Sequence, residues 1–240
     1  TGIKTTAEVS NASSANVTAL QEGNAEIAFV QTDIAYYAKK GELMFKDNAV
    51  KDLVAIGALY PETVQLVTTK SSGITSFEDL KGKNCVITGG FGVIGMALTR
   101  GLAESGVNLA VIGRNPATPD KAKAIADEFG IKCIGISASV TDKQQLEAAR
   151  EQIHTEIGKI DMLINCAGGN SPKATCSVEQ MTKEDALADT FYGLSMEGFQ
   201  DVFDLNFIGT LLPTMVFTTD MIEAGKGNVL NISSMNSIRP

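Results

Sequence analysis

The chain has 240 residues, 44% of them hydrophobic and 20% charged, an ordinary globular composition that excludes disordered, collagenous and membrane-spanning classes. Twenty basic against 28 acidic side chains give a net charge of -8, which argues against a nucleic-acid backbone as partner. A single histidine, His154, excludes multi-histidine zinc sites and leaves Ser-His-Asp hydrolysis almost without support.

From the N-terminus the pattern predicts short alternating elements. These are a strand over 5–9, a helix over 15–21, a strand over 25–30, a helix over 34–40, and apolar strands over 54–59 and 64–67. Ser76 followed by Glu78 and Asp79 predicts a capped helical turn, which Lys81-Gly82-Lys83 stops. Past Lys83 the rhythm becomes strictly strand, helix, strand. Apolar runs stand at 85–88, 109–112, 133–136, 162–164 and 229–232, and helical windows at 93–104, 121–129, 143–157 and 199–222. Continuous apolar strands between amphipathic helices imply a parallel sheet covered on both faces. The fold class is therefore α/β with a doubly wound, Rossmann-like sheet over 84–240, whose ligand belongs beyond the carboxyl ends of the strands.

The run at 85–88 leads into Gly89-Gly90-Phe91-Gly92-Val93-Ile94-Gly95 and then a helix. Glycines permit a tight turn and bring backbone N–H groups and a helix N-terminus up to a pyrophosphate; a close-packed turn without ligand is the other reading. After the next strand, dinucleotide folds place an acid for the ribose or an arginine for a 2′-phosphate. Gly113-Arg114-Asn115 supplies the arginine and no carboxylate, which favours NADP(H), with NAD also admitted. The other reading of Arg114 is a solvated strand-end charge. Asn165-Cys166-Ala167-Gly168-Gly169 puts a second close-approach loop at the same edge, and Asn231-Ile232-Ser233-Ser234 delivers hydroxyls to it.

Thr88 to Gly95, Asn165 to Gly168, Asn206 and Ser234, in this order, resemble the short-chain dehydrogenase/reductase family over about residues 80–240. The glycine turn, the 168–175 segment and Asp204-Leu205-Asn206-Phe207-Ile208-Gly209-Thr210 resemble its D-mannonate (fructuronate) oxidoreductase-like branch. The resemblance implies hydride transfer between a nicotinamide and a sugar acid or similar hydroxy or keto substrate. It places Gly89, Phe91, Ile94 and Gly95 along the cofactor phosphates and Arg114 at the adenosine ribose. Asn165, Ala167 and Gly168 would support the central strand and the nicotinamide ribose. Asn206 would hold a helix kink and a proton-relay water, and Ser234 would polarise the substrate carbonyl. Two positions depart from the family pattern. Val93 stands where most members have glycine, and Ser139 where an aspartate usually holds the adenine amino group. The family's proton donor is the tyrosine of a Tyr-x-x-x-Lys pair after the serine strand, and none of the six residues after Ser234 is tyrosine or lysine. Loss of a general acid forfeits about 100- to 10,000-fold in rate, so weak cofactor binding and near-zero turnover are expected of these 240 residues. Tyr36 to Lys40 has the same spacing but precedes the glycine turn.

The segment 22–38, followed by Leu59-Tyr60-Pro61-Glu62-Thr63-Val64-Gln65, resembles TAXI-type solute receptors of TRAP transporters, which are two-lobed and periplasmic. That resemblance covers residues 1–83 and implies an incomplete α/β receptor-like lobe. Gln31, Thr32, Asp33 and Tyr60 would line a cleft for a small carboxylate; the other reading is that they cap and pack the lobe. Asp79-Leu80-Lys81-Gly82-Lys83 is common to both resemblances, so the chain reads as two incomplete proteins joined near residue 83, with Thr1 and Pro240 as cuts. The second part implies a cytoplasmic location and the first a periplasmic origin. Neither an opening secretory signal nor a run long enough to span a membrane is present. Sheet edges left open by such a join predict self-association. Cys85, Cys133, Cys166 and Cys176 lack metal-ligand spacing and read as small buried hydrophobes in a reducing compartment.

Overall fold

The structure, a computed structural model, describes residues 4–6, 13–58, 73–176, 178 and 181–233. Two compact units divide the chain, Thr1–Leu66 and Val67–Pro240.

In the first unit α1 (Ser13–Gln21) and α2 (Thr32–Lys40) close over buried Val17, Ala38, Phe45 and Val50. Lys39 and Lys40 complement the dipole of the last turn of α2, and Gly41 ends it at φ 71°, a left-handed conformation that costs glycine little. The strands expected over 25–30 and 54–59 are not formed at the described positions. An extended segment needs a ladder partner. Side chains serve at and beside these segments instead, since Asn16 Nδ2 donates to Phe29 O at 2.7 Å and, next to the two segments, Gln31 N donates to Ser13 Oγ at 3.0 Å and Lys39 Nζ to Leu53 O at 3.2 Å. The strand expected over 64–67 and most of that over 5–9 lie outside the described residues.

The second unit is built on β1 (Asn84–Thr88), β2 (Asn108–Gly113), β3 (Cys133–Ser137), β4 (Met162–Asn165) and β5 (Asn228–Asn231), all parallel in the order β3-β2-β1-β4-β5. Cys85, Ile87, Leu109 and Val111 pack beneath α3 (Val93–Glu104) and α4 (Thr118–Phe129). Val86, Ala110, Ile112 and Leu163 point the other way, toward α5 (Lys143–Glu156), α7 (Gly209–Phe217) and α8 (Thr219–Ala224). β1 and β2 therefore read as continuously apolar because both of their faces are covered, whereas β5 at the edge is exposed. The turn Phe77–Leu80 stands with this unit: Leu80 packs against the α3–α4 core and Gly82 N donates to Gly106 O at 2.8 Å. This is why the compact units divide earlier than the join expected near residue 83.

The single helix expected over 199–222 is broken. It runs as α6 (Met196–Phe203), a π turn (Asp204–Ile208), α7 and α8. Asn206 widens the helix, its Nδ2 donating to Val202 O at 2.8 Å and Gly169 O at 2.7 Å. Gly209 must be small there, because a Cβ would lie 2.7 Å from Val140 Cγ2. The four cysteines are free thiols, and burial pushes those of Cys85 and Cys133 up to about 12. No helix among the described residues is long and apolar enough to cross a membrane.

Candidate functional site

The strand order reverses its direction of growth between β1 and β4, and such a switch point opens a crevice at the carboxyl edge of the sheet. The glycine turn sits there. Gly89 has φ 65° and donates its N–H to Ile112 O at 2.8 Å, and a Cβ on it would lie 2.8 Å from Ala167 Cα. A Cβ on Gly95 would fall 2.1 Å from Gly89 O and 2.8 Å from Gly90 Cα. The chain thus bends so tightly that α3 begins directly on the turn. Its N-cap, Gly92, offers no capping side chain, and the first N–H groups of a helix lack intrahelical acceptors. Val93 and Ile94, the first residues of α3, are exposed. Amides and the positive end of a helix dipole therefore converge at a cradle where side chains are excluded, which suits an anionic diphosphate.

Thr88, fully buried, joins this turn to the loop after β4: its Oγ1 accepts from both Cys166 N and Ala167 N at 3.1 Å. Thr88→Val keeps the shape and leaves two half-buried donors without their acceptor, so it is expected to destabilise the second unit by about 1–2 kcal/mol in urea titration. A change below the error of that titration would show that the two amides find other acceptors.

Of the residues singled out in the sequence, Gly89, Gly95 and Ala167 are packed together, and Phe91 is half-buried on the α3–α4 core with Lys121 Nζ 5.8 Å from its ring centre. Arg114 is exposed just past the carboxyl end of β2, beside the turn's own strand. Asn165 is buried, with Nδ2 donating to Thr214 Oγ1 and Asn231 Oδ1 at 2.9 Å, so it ties β4 to α7 and β5. Gly168 lies under Asn206, whose Oδ1 a Cβ would approach to 2.8 Å, and Gly169 N donates to that same Oδ1 at 3.1 Å. Asn206 thereby holds both the π turn and the loop after β4. Ser139 shares a hydroxyl–hydroxyl bond of 2.9 Å with Thr141. Gln31, Thr32 and Asp33 stand at the start of α2 in the first unit, where Asp33 Oδ1 accepts from Ile34 N at 2.9 Å. Ser234 and Tyr60 lie outside the described residues. Sequence reasoning assigned no role to Thr88, Thr214 or Asn231. The available signal was a polar residue closing each of two apolar strands and the two threonines, Thr210 and Thr214, on the otherwise apolar helix covering them.

The model of the short chain dehydrogenase family matches residues 83–240, and that of the NMT1-like family matches residues 1–145. An uncharacterized oxidoreductase of Haemophilus influenzae is 37% identical over 168 residues, 70% of this chain and 59% of that protein. Another from Bacillus subtilis is 38% identical over 167 residues, 68% and 58% of the two chains. A solved structure from Haemophilus that carries the name D-mannonate oxidoreductase and holds NAD superposes with a TM-score of 0.64 at 38% identity, covering 68% of this chain and 60% of that one. The chain thus spans about three fifths of the length of these relatives. Where the two family matches overlap, β1 pairs with β4, a strand that only the dehydrogenase match includes. Through residues 83–240, with an NMT1-like match preceding and overlapping them, the chain belongs to the short chain dehydrogenase family.

Proposed function

We propose that residues 84–240 form the nucleotide-binding part of an NAD(P)-dependent oxidoreductase acting on a sugar acid or similar hydroxy or keto compound. The observation that carries the reading is the turn from β1 into α3, where Gly89 and Gly95 leave no room for a Cβ beside uncapped helix amides. Gly89, Phe91, Ile94 and Gly95 would hold the diphosphate, Arg114 the adenosine ribose, and Asn165, Ala167 and Gly168 the nicotinamide ribose. When bound, the nicotinamide supplies the hydride. Asn206 holds the loop after β4 in place, and Ser234 would polarise the reacting carbonyl. The sugar-acid class draws support from the name of the Haemophilus structure, and the choice between cofactors rests on Arg114 against the NAD held by that relative.

Thermal shift of the 240-residue polypeptide with NADPH, NADH, glutamate and buffer tests this. A nucleotide at ten times its Kd adds about 1.4 kcal/mol, roughly 3–5 °C for a domain of this size. NADPH is expected to give the larger shift. Equal melting temperatures with and without nucleotide, up to millimolar concentration, would sink the proposal. No Tyr-x-x-x-Lys pair follows Ser234 in these residues, so binding without fructuronate reduction is the expected behaviour of this polypeptide.

A second reading concerns residues 1–83 as a receptor-like part for a small carboxylate, favoured by the NMT1-like match. Gln31, Thr32, Asp33 and Tyr60 would serve it. The Asp33 carboxylate already occupies the first turn of α2, where it would repel such a ligand. A shift with glutamate alone would favour this reading over the first.

A further inference from the structure

Two cations reach the glycine turn from the β2 side. β1 and β2 run parallel with Thr88 beside Ile112, so exposed Arg114 emerges level with the first residues of the turn. Further on, Lys121 in the first turn of α4 is exposed and holds its Nζ 5.8 Å from the centre of the Phe91 ring, on the turn itself. The start of α4 is fixed from both sides. Asn115 O accepts from Thr118 N at 2.9 Å and from Thr118 Oγ1 at 2.6 Å, Asn115 Oδ1 accepts from Ala117 N at 2.9 Å, and Thr118 is buried. Opposite, Gly135 of β3 stands so close that a Cβ on it would lie 2.2 Å from Thr118 O and 2.8 Å from Pro119 Cα. Lys121 therefore leaves the helix from backbone that has no room to shift. Other cations nearby are placed or engaged differently. Lys81, Lys83 and Lys132 precede strands and stand at the amino edge of the sheet, while Arg100 pairs with Glu128 and Lys143 with Glu147. Among the described residues neither Arg114 nor Lys121 has a carboxylate oxygen within 4.0 Å of its nitrogens. Asp120 precedes Lys121 in the same turn, where the helix dipole favours a carboxylate, and is not paired with it.

We propose that Lys121 is a specificity-determining residue of the cofactor site, supplying from α4 the second cation, beside Arg114, for the 2′-phosphate of NADP(H). The proposal rests on the reading of the glycine turn as the cofactor site and adds to it a residue that the strand-end arginine does not announce. An unphosphorylated ribose asks for a hydrogen-bond acceptor at the end of β2. Residues 113–115 offer no carboxylate, and Asn115 Oδ1 is already engaged by Ala117 N. A phosphate monoester carries about two negative charges at neutral pH and presents three acceptor oxygens. A guanidinium fork covers two of those oxygens, and an ammonium point charge suits the third. Because the first turn of α4 is held between β2 and β3, little backbone freedom is lost when the ammonium meets its ligand. The other use of Lys121 is its ring contact alone, and a cation over phenylalanine at an exposed site adds little. The two uses differ in what they predict: a ring contact acts on the free chain, a phosphate contact only on the phosphorylated nucleotide.

Fluorescence titration of the 240-residue chain with NADPH and with NADH, at one fixed salt concentration, reads the ratio of the two affinities. Two charge-assisted contacts to the phosphate should make NADPH bind at least about 100-fold more tightly. Lys121→Ala should cut that ratio about 10-fold and leave NADH binding within about 2-fold of the native chain. Lys121→Arg should keep most of the ratio, and Lys123→Ala, on another face of the same helix, all of it. Adenosine 2′,5′-bisphosphate compared with AMP should depend on Lys121 in the same way, since neither probe carries a nicotinamide. If neither dinucleotide binds up to millimolar concentration, the reading of the turn falls and the proposal with it. If both bind and Lys121→Ala leaves their ratio within about 2-fold, the proposal alone is overturned. Equal weakening of both nucleotides overturns it as well, because a contact to the 2′-phosphate is absent from NADH.

Discussion

Gly95→Ala is expected to abolish the rise in melting temperature that NADPH or NADH produces. The added methyl would stand 2.1 Å from Gly89 O and 2.8 Å from Gly90 Cα, and both neighbours are backbone. Neither can rotate away, so α3 must lift off the turn, and the amides aimed at the diphosphate lose their common focus. Overpacking of this kind costs about 1–3 kcal/mol in stability, and the lost focus removes binding as well. Gly101→Ala provides the comparison within the same helix. It stands on an exposed face with nothing within 4 Å of its Cβ position, so alanine there should add roughly 0.5–1 kcal/mol and leave the nucleotide response unchanged. If Gly95→Ala keeps the full nucleotide shift, the diphosphate does not sit on this turn.

Asp220→Ala is expected to be the most damaging substitution for stability. The Asp220 side chain is 1% exposed and accepts from Ile160 N at 2.9 Å, His154 Nε2 at 2.7 Å and Arg150 Nη2 at 3.1 Å. One carboxylate thus joins α5, α8 and the approach to β4. Its removal leaves the buried Ile160 N–H without its acceptor and a half-buried guanidinium with only the looser Glu151 contact at 3.9 Å, which costs about 3 kcal/mol, the low end for a broken buried pair, because Arg150 is partly solvated. The melting temperature should fall by roughly 6–12 °C. Glu223→Ala breaks the exposed contact with Lys159 one turn away and should change little, since such pairs are screened by water.

Burial alone would raise the Asp220 carboxyl, but the bonds from Ile160, His154 and Arg150 outweigh it and hold the group below the usual aspartate value. A lowered carboxylate contributes stability that is complete above the unfolded value of about 3.9 and is lost as pH falls through the folded one. The gap in melting temperature between native chain and Asp220→Ala should therefore hold from neutrality to about pH 5 and narrow below pH 4. A gap that stays constant to pH 3, or widens, contradicts the assigned charge state.

The five strands and the first three helices of the second unit were legible before any coordinates, because each strand is apolar on two faces and each helix on one. The glycine turn was legible for a related reason: a run of small residues between a strand and a helix has few physical uses. The apolar segments at 25–30 and 54–59 read as strands yet form none at their described positions, since apolar composition states a preference and only a neighbouring strand can satisfy it. Asn206 was expected to bend a helix, but the π turn depends on Gly169, 37 residues away, accepting and donating at its amide. The lone His154 had served only to exclude chemistries, and nothing nearby in the chain announces its bond to Asp220, 66 residues on.

What the amino-acid order determined by itself is the parallel, doubly wound sheet and the position of the phosphate-type turn, because periodicity and steric bulk act over a few neighbouring residues. What only the tertiary structure decided is which polar groups satisfy one another: Thr88 with the loop after β4, Asn165 with Thr214 and Asn231, Asp220 with α5. Those pairings join residues that the chain keeps dozens of positions apart. Burial, which makes an unpaired polar group costly, selects them only once the sheet has closed.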